Sequence, residues 1–431
     1  MNEHNCELLS FINKSKSPFH AVSSIETMLE MAGYTRLFEN EKWVLEKNQR
    51  YYLKKSDSSL IAFKIPSGEC KSFLISASHS DSPSFKLKPN CEKKGGGDST
   101  VLSVESYGGG LLSTWFDRPL SIAGRAVISE NGQIKTRLFS IEKDLCIIPS
   151  VAIHFIRNAN DGVKIQPNID TFPLLGLSAN TRLEDEIKSA VGCENILSTD
   201  AFLYVRQEGS VLGIDDEFIC APKLDDLMCA FGCTKGFLFS DECESIPVLC
   251  VFDNEEVGSA TKQGAASSFL RDTLYRISDS LGFDNEKAKQ MFSQSFMVSA
   301  DNAHAIHPNH PEFSDLDNAP KINGGVVIKH NANQKYTTDA VSSGIFKAIC
   351  NKAGVLVQNY ANRADMPGGS TLGSIADTMV PIMTVDIGLA QLAMHSAFET
   401  AGSEDIEYLI DAMTAFYSTT ITKDQENIVL G

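Results

Sequence analysis

Pro247-Val-Leu-Cys-Val-Phe-Asp253-Asn-Glu255-Glu256-Val-Gly258-Ser259 is the stretch that decides the fold. Its first half, Val248 to Phe252, is short, apolar and rich in β-branched residues, as a strand buried on both faces must be. The strand then runs into Asp253, Glu255 and Glu256, followed by Gly258. Carboxylates at the end of a buried strand are costly unless a positive group meets them. Because Glu255 and Glu256 are adjacent, their side chains diverge: one can hold a metal ion while the other faces a water. An acidic turn open to solvent would read the same way in isolation.

The surrounding chain weighs against that plain reading. Ser72-Phe-Leu-Ile-Ser-Ala-Ser78 is a second buried strand and ends in His79-Ser-Asp81. Phe296-Met-Val-Ser-Ala300 ends in Asp301, and Ile382-Met-Thr-Val-Asp386 precedes His395. Asp225 opens an amphipathic segment, 224–238. The pattern predicts further helices at 5–32 (broken at Ser17-Pro18), 262–276, 286–292, 338–353 and 405–422, and a strand at 354–358. Strand–helix alternation defines an α/β fold with a mostly parallel sheet flanked by helices. In such sheets ligands bind outside the carboxyl ends of the strands, where these candidate residues gather.

Between residues 88 and 216 the texture changes. Gly95–Gly97, Gly108–Gly110 and short alternating runs such as 121–128 predict a β-rich insert with tight turns. The same reading extends strands through 145–149 and 151–156 and leaves 158–200 as polar loop. Residues 1–87 and 217–431 then form one discontinuous domain around the insert.

Bulk properties bound the function. With 431 residues, 42% hydrophobic and 22% charged, the chain is long enough for more than one domain with a large core. A formal charge of −17 argues against nucleic acid and anionic membrane as partners. No apolar run approaches the ~20 residues of a membrane helix, and Met1-Asn-Glu-His-Asn-Cys-Glu7 lacks a signal-peptide pattern, so a cytoplasmic location is expected. The 11 cysteines include no Cys-x-x-Cys pair, so thiolate zinc sites are not expected.

Two imidazoles with several carboxylates suit a two-metal hydrolytic centre. One carboxylate bridges cations about 3.5–4 Å apart. Each cation takes further nitrogen or oxygen ligands and leaves a position for water. Such donors favour zinc, cobalt or manganese over calcium. A carboxylate outside the shell serves as the base.

The motifs His79-Ser-Asp81-Ser-Pro83, Lys223-Leu-Asp225, Asp253-Asn-Glu-Glu256-Val-Gly-Ser259, Ser299-Ala-Asp301-Asn-Ala-His304-Ala-Ile-His307-Pro-Asn309, Val327-Ile-Lys329 and Gln391-Leu-Ala-Met-His395-Ser396 resemble the aspartyl aminopeptidase and vacuolar aminopeptidase I family of dinuclear zinc exopeptidases, nearly end to end. The resemblance implies a zinc exopeptidase-like catalytic domain, a β-rich dimerisation insert, and a tetrahedral dodecamer built from dimers. It implies two divalent ions per subunit, most simply zinc. His79 and Asp301 would hold one, Glu256 and His395 the other, and Asp225 would bridge. Glu255 would be the general base and Asp81 its supporting aspartate. His154 would reach the neighbouring subunit's site. Many members carry Asn where this chain has Asp226.

Lys329 follows an apolar strand and could pair with a substrate carboxylate. Met366-Pro-Gly-Gly-Ser370-Thr371 could be a substrate-binding loop, and His304, His307 and His310 are read as supporting or loop-packing residues. The expected activity is release of single N-terminal residues from peptides, with Asp or Glu preferred on the family's name. Leucine-type preference, deacylation of N-acyl amino acids, and a noncatalytic assembly or cargo role are the alternatives.

Overall fold

The computed structural model describes residues 2–178 and 180–431. Ser245–Phe252 is an inner strand of a nine-stranded sheet. Across that sheet the strands run Thr35–Arg36, Arg50–Lys55, Ser59–Lys64, Ser245–Phe252, Ser72–His79, Phe296–Ala300, Met383–Gly388, Val326–His330 and Val357–Ala361. The four strands from Ser245–Phe252 to Met383–Gly388 are mutually parallel. Their register pairs Phe252 with His79 and Ala300 with Ile387, so their carboxyl ends form one edge. Antiparallel strands flank them on both sides.

Alternation along the buried strands feeds two cores. Leu249 and Val251 join Leu227, Phe237, Phe346 and Leu409 from the helices on one face. Val248 and Cys250 join Phe269, Leu274, Met291 and Leu372 on the other. The mostly parallel α/β arrangement is therefore present, covered by helices on both faces as parallel strands require. Helices Glu3–Lys14 and Pro18–Met31 separate at Ser17-Pro18.

Several boundaries differ; the closing helix expected through 422 ends at Ser418, and Ile421–Asp424 is a short strand. The helix expected from 262 begins only at Phe269, after a series of turns. The strand expected from Gly354 begins at Val357, because Gly354 takes the left-handed conformation (φ 72°) that ends the helix Ala340–Ala353.

A second, antiparallel sheet of six strands runs Gln133–Ser140, Leu120–Glu130, Ile196–Val205, Ser84–Lys94, Thr100–Tyr107 and Leu174–Gly176. It has its own core around Phe85, Trp115, Ile122, Phe139 and Leu203. Two sequence expectations fail here. Residues 158–200 are not all loop: Leu183–Val191 is a helix, and Ile196–Val205 is a central strand. That strand was illegible because Leu197–Thr199 are polar or exposed and only 201–205 are continuously buried. Residues 151–156 are not a strand but a turn-containing loop. No strand pairs with it among the described residues, so Val151, Ile153 and Phe155 (84% exposed) face outward.

A five-stranded sheet joins Ser210–Leu212, Phe218–Ala221, Glu399–Gly402, Ala390–Leu392 and Ala303–His304. It brings the start of the helix Leu224–Phe239 and the loop 393–398 beside the carboxyl edge of the main sheet. Among the described residues, no helix is long and apolar enough to cross a membrane.

Candidate metal centre

Each expected ligand sits where a buried element stops. His79 is the last residue of its strand and Asp301 directly follows Ala300. Asp225 stands in the first turn of the helix Leu224–Phe239. Glu255 and Glu256 occupy a single 3-10 turn between Asn254 (φ 64°) and Gly258 (φ 95°). His395 lies in the loop after Ala390–Leu392, also with positive φ.

These side chains converge. His79 Nε2 is 3.7 Å from Asp225 Oδ1, and His395 Nε2 is 3.3 Å from Asp225 Oδ2. His395 Nε2 also lies 3.4 Å from Glu256 Oε2. Three overlapping sets have ligand atoms within 4.8 Å of one another: His79, Asp225, Asp226 and Asp301; His79, Glu255 and Glu256; Asp225, Glu256 and His395. Asp225 belongs to the first and third sets, with one oxygen toward each histidine.

The surroundings fix the tautomers. His79 Nδ1 faces the Asp81 carbonyl at 3.0 Å, and His395 Nδ1 faces the Gly109 carbonyl at 2.9 Å. With Nδ1–H donated there, each Nε2 lone pair points into the cluster. The Asp81 carboxylate accepts the backbone N–H groups of Glu255 (3.1 Å) and Glu256 (3.2 Å) and so holds the acidic turn. Glu399 does the same opposite, accepting N–H groups of Asp225 (3.0 Å) and His395 (2.7 Å).

The electrostatics call for a cation. Burial pushes Glu255 up to about 7 and Asp301 up to about 6, and it drives Glu256 and Asp226 well above the carboxylate range. Burial would lower His395, but its hydrogen bond to Asp225 and the charge of Glu256 raise it to about 10. Asp225 Oδ1, Asp226 Oδ1 and Glu256 Oε1 are buried without any hydrogen-bond partner. Buried carboxylate oxygens left bare cost several kcal/mol in the ionised state unless a cation meets them (~3–5 kcal/mol for a broken buried pair). Oxygen and imidazole donors facing one point fit zinc and its near relatives.

Other expected residues fall differently. Lys329 is buried; its ammonium donates to the Asn302 carbonyl (2.8 Å) and lies 3.6 Å from Asp301 Oδ2. It lines a cavity of about 160 Å³ beside the cluster with His304, Tyr336, Tyr360, Gly369, Ser370 and Thr371. His307 and His310 pack against each other outside it, their rings 5.2 Å apart and tilted by 42°. His154 is exposed in the 151–156 loop and joins none of the three sets.

Sequence reading missed Glu399, Tyr107 and Asn302. A carboxylate four residues beyond His395 in apolar surroundings was the available signal for Glu399. Tyr107, whose hydroxyl donates to Asp81 Oδ2 (2.7 Å), stands directly before the Gly108–Gly110 run. Asn302 bonds Leu224 and Gln391 through its amide and gave no signal beyond following Asp301.

Comparison with known proteins identifies the family. The family profile described as "Aminopeptidase I zinc metalloprotease (M18)" matches residues 11–417. A "Probable M18 family aminopeptidase 2" of Clostridium novyi (strain NT) is 43% identical over 424 residues, 96% of this chain and 98% of that protein. Among solved structures, the one titled "Cryo-EM structure of the Ape4 and Nbr1 complex" superposes with a TM-score of 0.92 at 33% identity, covering 96% of this chain and 85% of that one. The S. cerevisiae mApe1 dodecamer superposes at 0.84 with 25% identity, covering 96% of each chain. Fold, site and matches define a zinc-dependent hydrolase of peptide bonds, an aminopeptidase. The chain belongs to the aminopeptidase I zinc metalloprotease (M18) family.

Proposed function

We propose that this chain releases single N-terminal residues, Asp or Glu by preference, from peptides, using two zinc ions per subunit. The observation that carries the reading is the shared Asp225, with one carboxylate oxygen toward each of two histidines whose Nε2 atoms face inward. His79 and Asp301 would hold one ion, Glu256 and His395 the other, with Asp225 between them. Bound zinc would supply Lewis acidity toward the scissile carbonyl and the attacking water.

The protein's own groups do the rest. Glu255 takes a proton from the attacking water and gives it to the leaving amine, so the carboxylate is regenerated. Asp81 fixes the turn that presents Glu255. Nearby carboxylates meet the free α-ammonium group, which favours exopeptidase action. Lys329 and His304 line the cavity and favour an acidic side chain.

In this proposal the six-stranded domain pairs two subunits, and the exposed 151–156 loop carries His154 into the neighbouring site. The structural likeness to the mApe1 dodecamer supports a homo-dodecamer. The proposal also places this peptide processing in the cytoplasm.

A panel of aminoacyl substrates, with free or blocked amines and with zinc removed and restored, tests this. Zinc-dependent release from free-amine Asp or Glu substrates supports the proposal in full. Release of leucine instead overturns the acidic preference alone, and turnover of blocked substrates only overturns the aminopeptidase mechanism in favour of deacylation.

A further inference from the structure

The strand Thr100–Tyr107 belongs to the six-stranded sheet, yet its end and the glycines after it touch three of the site residues. The Tyr107 hydroxyl donates to Asp81 Oδ2 at 2.7 Å and accepts from Asn254 Nδ2 at 2.8 Å. Asn254 is the residue before Glu255. Gly108, at φ +71°, passes so close to Glu256 that a Cβ there would stand 3.0 Å from the Glu256 Cβ. The Gly109 carbonyl accepts from His395 Nδ1, and the Leu111 N–H donates to the His395 carbonyl at 2.9 Å. The Tyr107 ring itself stands edge-on to Phe202, 5.5 Å between centroids, within its own sheet.

Among the described residues, Asp81 Oδ2 accepts from two groups, the Glu256 N–H and the Tyr107 hydroxyl. Without the hydroxyl, a buried carboxylate that anchors the acidic turn loses the side-chain donor on Oδ2 and keeps His79 Nδ1, 3.4 Å from its Oδ1. Hydroxyl–carboxylate bonds are among the stronger ones in a protein interior. Groups that orient metal ligands from behind commonly govern both metal retention and rate.

We propose that Tyr107 is a positioning residue for the zinc centre: its hydroxyl, through Asp81 and Asn254, sets the Glu255–Glu256 turn, and the Gly108–Gly109 backbone sets Glu256 and His395. The inserted sheet is thereby a structural part of the hydrolytic site and not only a surface for assembly. This rests on the roles given above to Asp81, Glu255 and Glu256.

The test compares Tyr107→Phe, Phe202→Leu and Asp81→Asn in the zinc-loaded full-length protein. Two quantities are read: steady-state kcat and KM, and the rate of zinc transfer to a chromogenic chelator. Tyr107→Phe keeps the ring and is expected to lower kcat about ten- to hundredfold, leave KM within about twofold, and speed zinc release about tenfold. Phe202→Leu loosens the ring packing but keeps the hydroxyl, and is expected to leave kcat and zinc release within about twofold of the parent. The proposal is overturned if Tyr107→Phe matches the parent in both quantities, or if Phe202→Leu loses as much as Tyr107→Phe. Asp81→Asn separates the levels. If it too retains full kcat, the role of Asp81 has failed; if it is impaired while Tyr107→Phe is not, only the role of Tyr107 has.

Discussion

The two large sheets solve different problems. The nine-stranded sheet buries both faces of Ser72–His79 and Ser245–Phe252 between helices, and every residue of those strands is inside. The six-stranded sheet keeps half-exposed strands such as Ser84–Lys94 and carries a loop with Val151, Ile153 and Phe155 turned outward. The first sheet delivers candidate ligands at its carboxyl edge. The second delivers Tyr107 and Gly109 to the same place from outside. Burial on both faces fixes where chains end and side chains converge. Burial on one face leaves surface for partners.

The largest effect expected separates chemistry from fold at the edge of the first sheet. Glu255→Gln is isosteric and is expected to cut kcat by about 10³-fold or more while zinc content is unchanged, read by steady-state assay and atomic absorption. Full activity in this variant would remove the base assignment.

Next come matched glycines, one from each sheet. A Cβ on Gly388 would run into the Asp301 carbonyl, and a Cβ on Gly124 into the Asp200 carbonyl. Both alanine variants are expected to lose about 1–3 kcal/mol or more in urea unfolding. Only Gly388→Ala should also lose zinc, because the strand it disturbs positions Asp301. Equal zinc loss in both would blur the division drawn here.

Zinc removal has a pH signature. In the zinc-free protein Asp301, Glu255 and Glu399 are raised to about 6, 7 and 8, chiefly by burial. Folded values above the unfolded ones mean that the folded state holds extra protons. That stability is complete below about pH 4 and is lost as pH rises through 6–8. One such carboxyl accounts for about 3 kcal/mol over the window. Zinc bound beside these carboxylates would favour their ionised forms, so the zinc-loaded protein should not follow. The melting-temperature gap between loaded and stripped protein should therefore widen from pH 5 to pH 8; a constant gap would contradict the picture.

The smallest effect on stability is expected at the 151–156 loop. Phe155→Ser, at an exposed position, should change unfolding free energy by less than about 0.5 kcal/mol. On the proposed pairing of subunits through this domain, it should nevertheless shift the assembly to smaller species in sedimentation. An unchanged sedimentation profile would leave the loop without that role.

How much could be read in advance follows the same division. Ser72–His79, Ser245–Phe252 and Phe296–Ala300 announce themselves by apolar runs broken only by small residues, and His79, Glu255, Glu256 and Asp301 stand at or within a few residues of their ends. The strand Ile196–Val205 does not, because its first half is polar and its pairing partners, Leu120–Glu130 and Ser84–Lys94, lie far off in sequence. Residues 151–156 look like a strand because apolar residues alternate, but alternation also describes an unpartnered surface. Glu399 and Tyr107 escaped because each acts on another side chain or on backbone N–H groups, and such roles leave no spacing in the sequence. Asp225 was legible only together with His79 and His395, which lie well over a hundred residues from it in sequence.

The central claim is a two-ion centre bridged by Asp225. Counting zinc per chain in the parent protein and in His79→Ala and His395→Ala tests it most directly. The account predicts two ions per chain in the parent and no more than one in either variant, with aminopeptidase turnover lost in both. One ion in the parent, with His395→Ala keeping both that ion and full turnover, would contradict it.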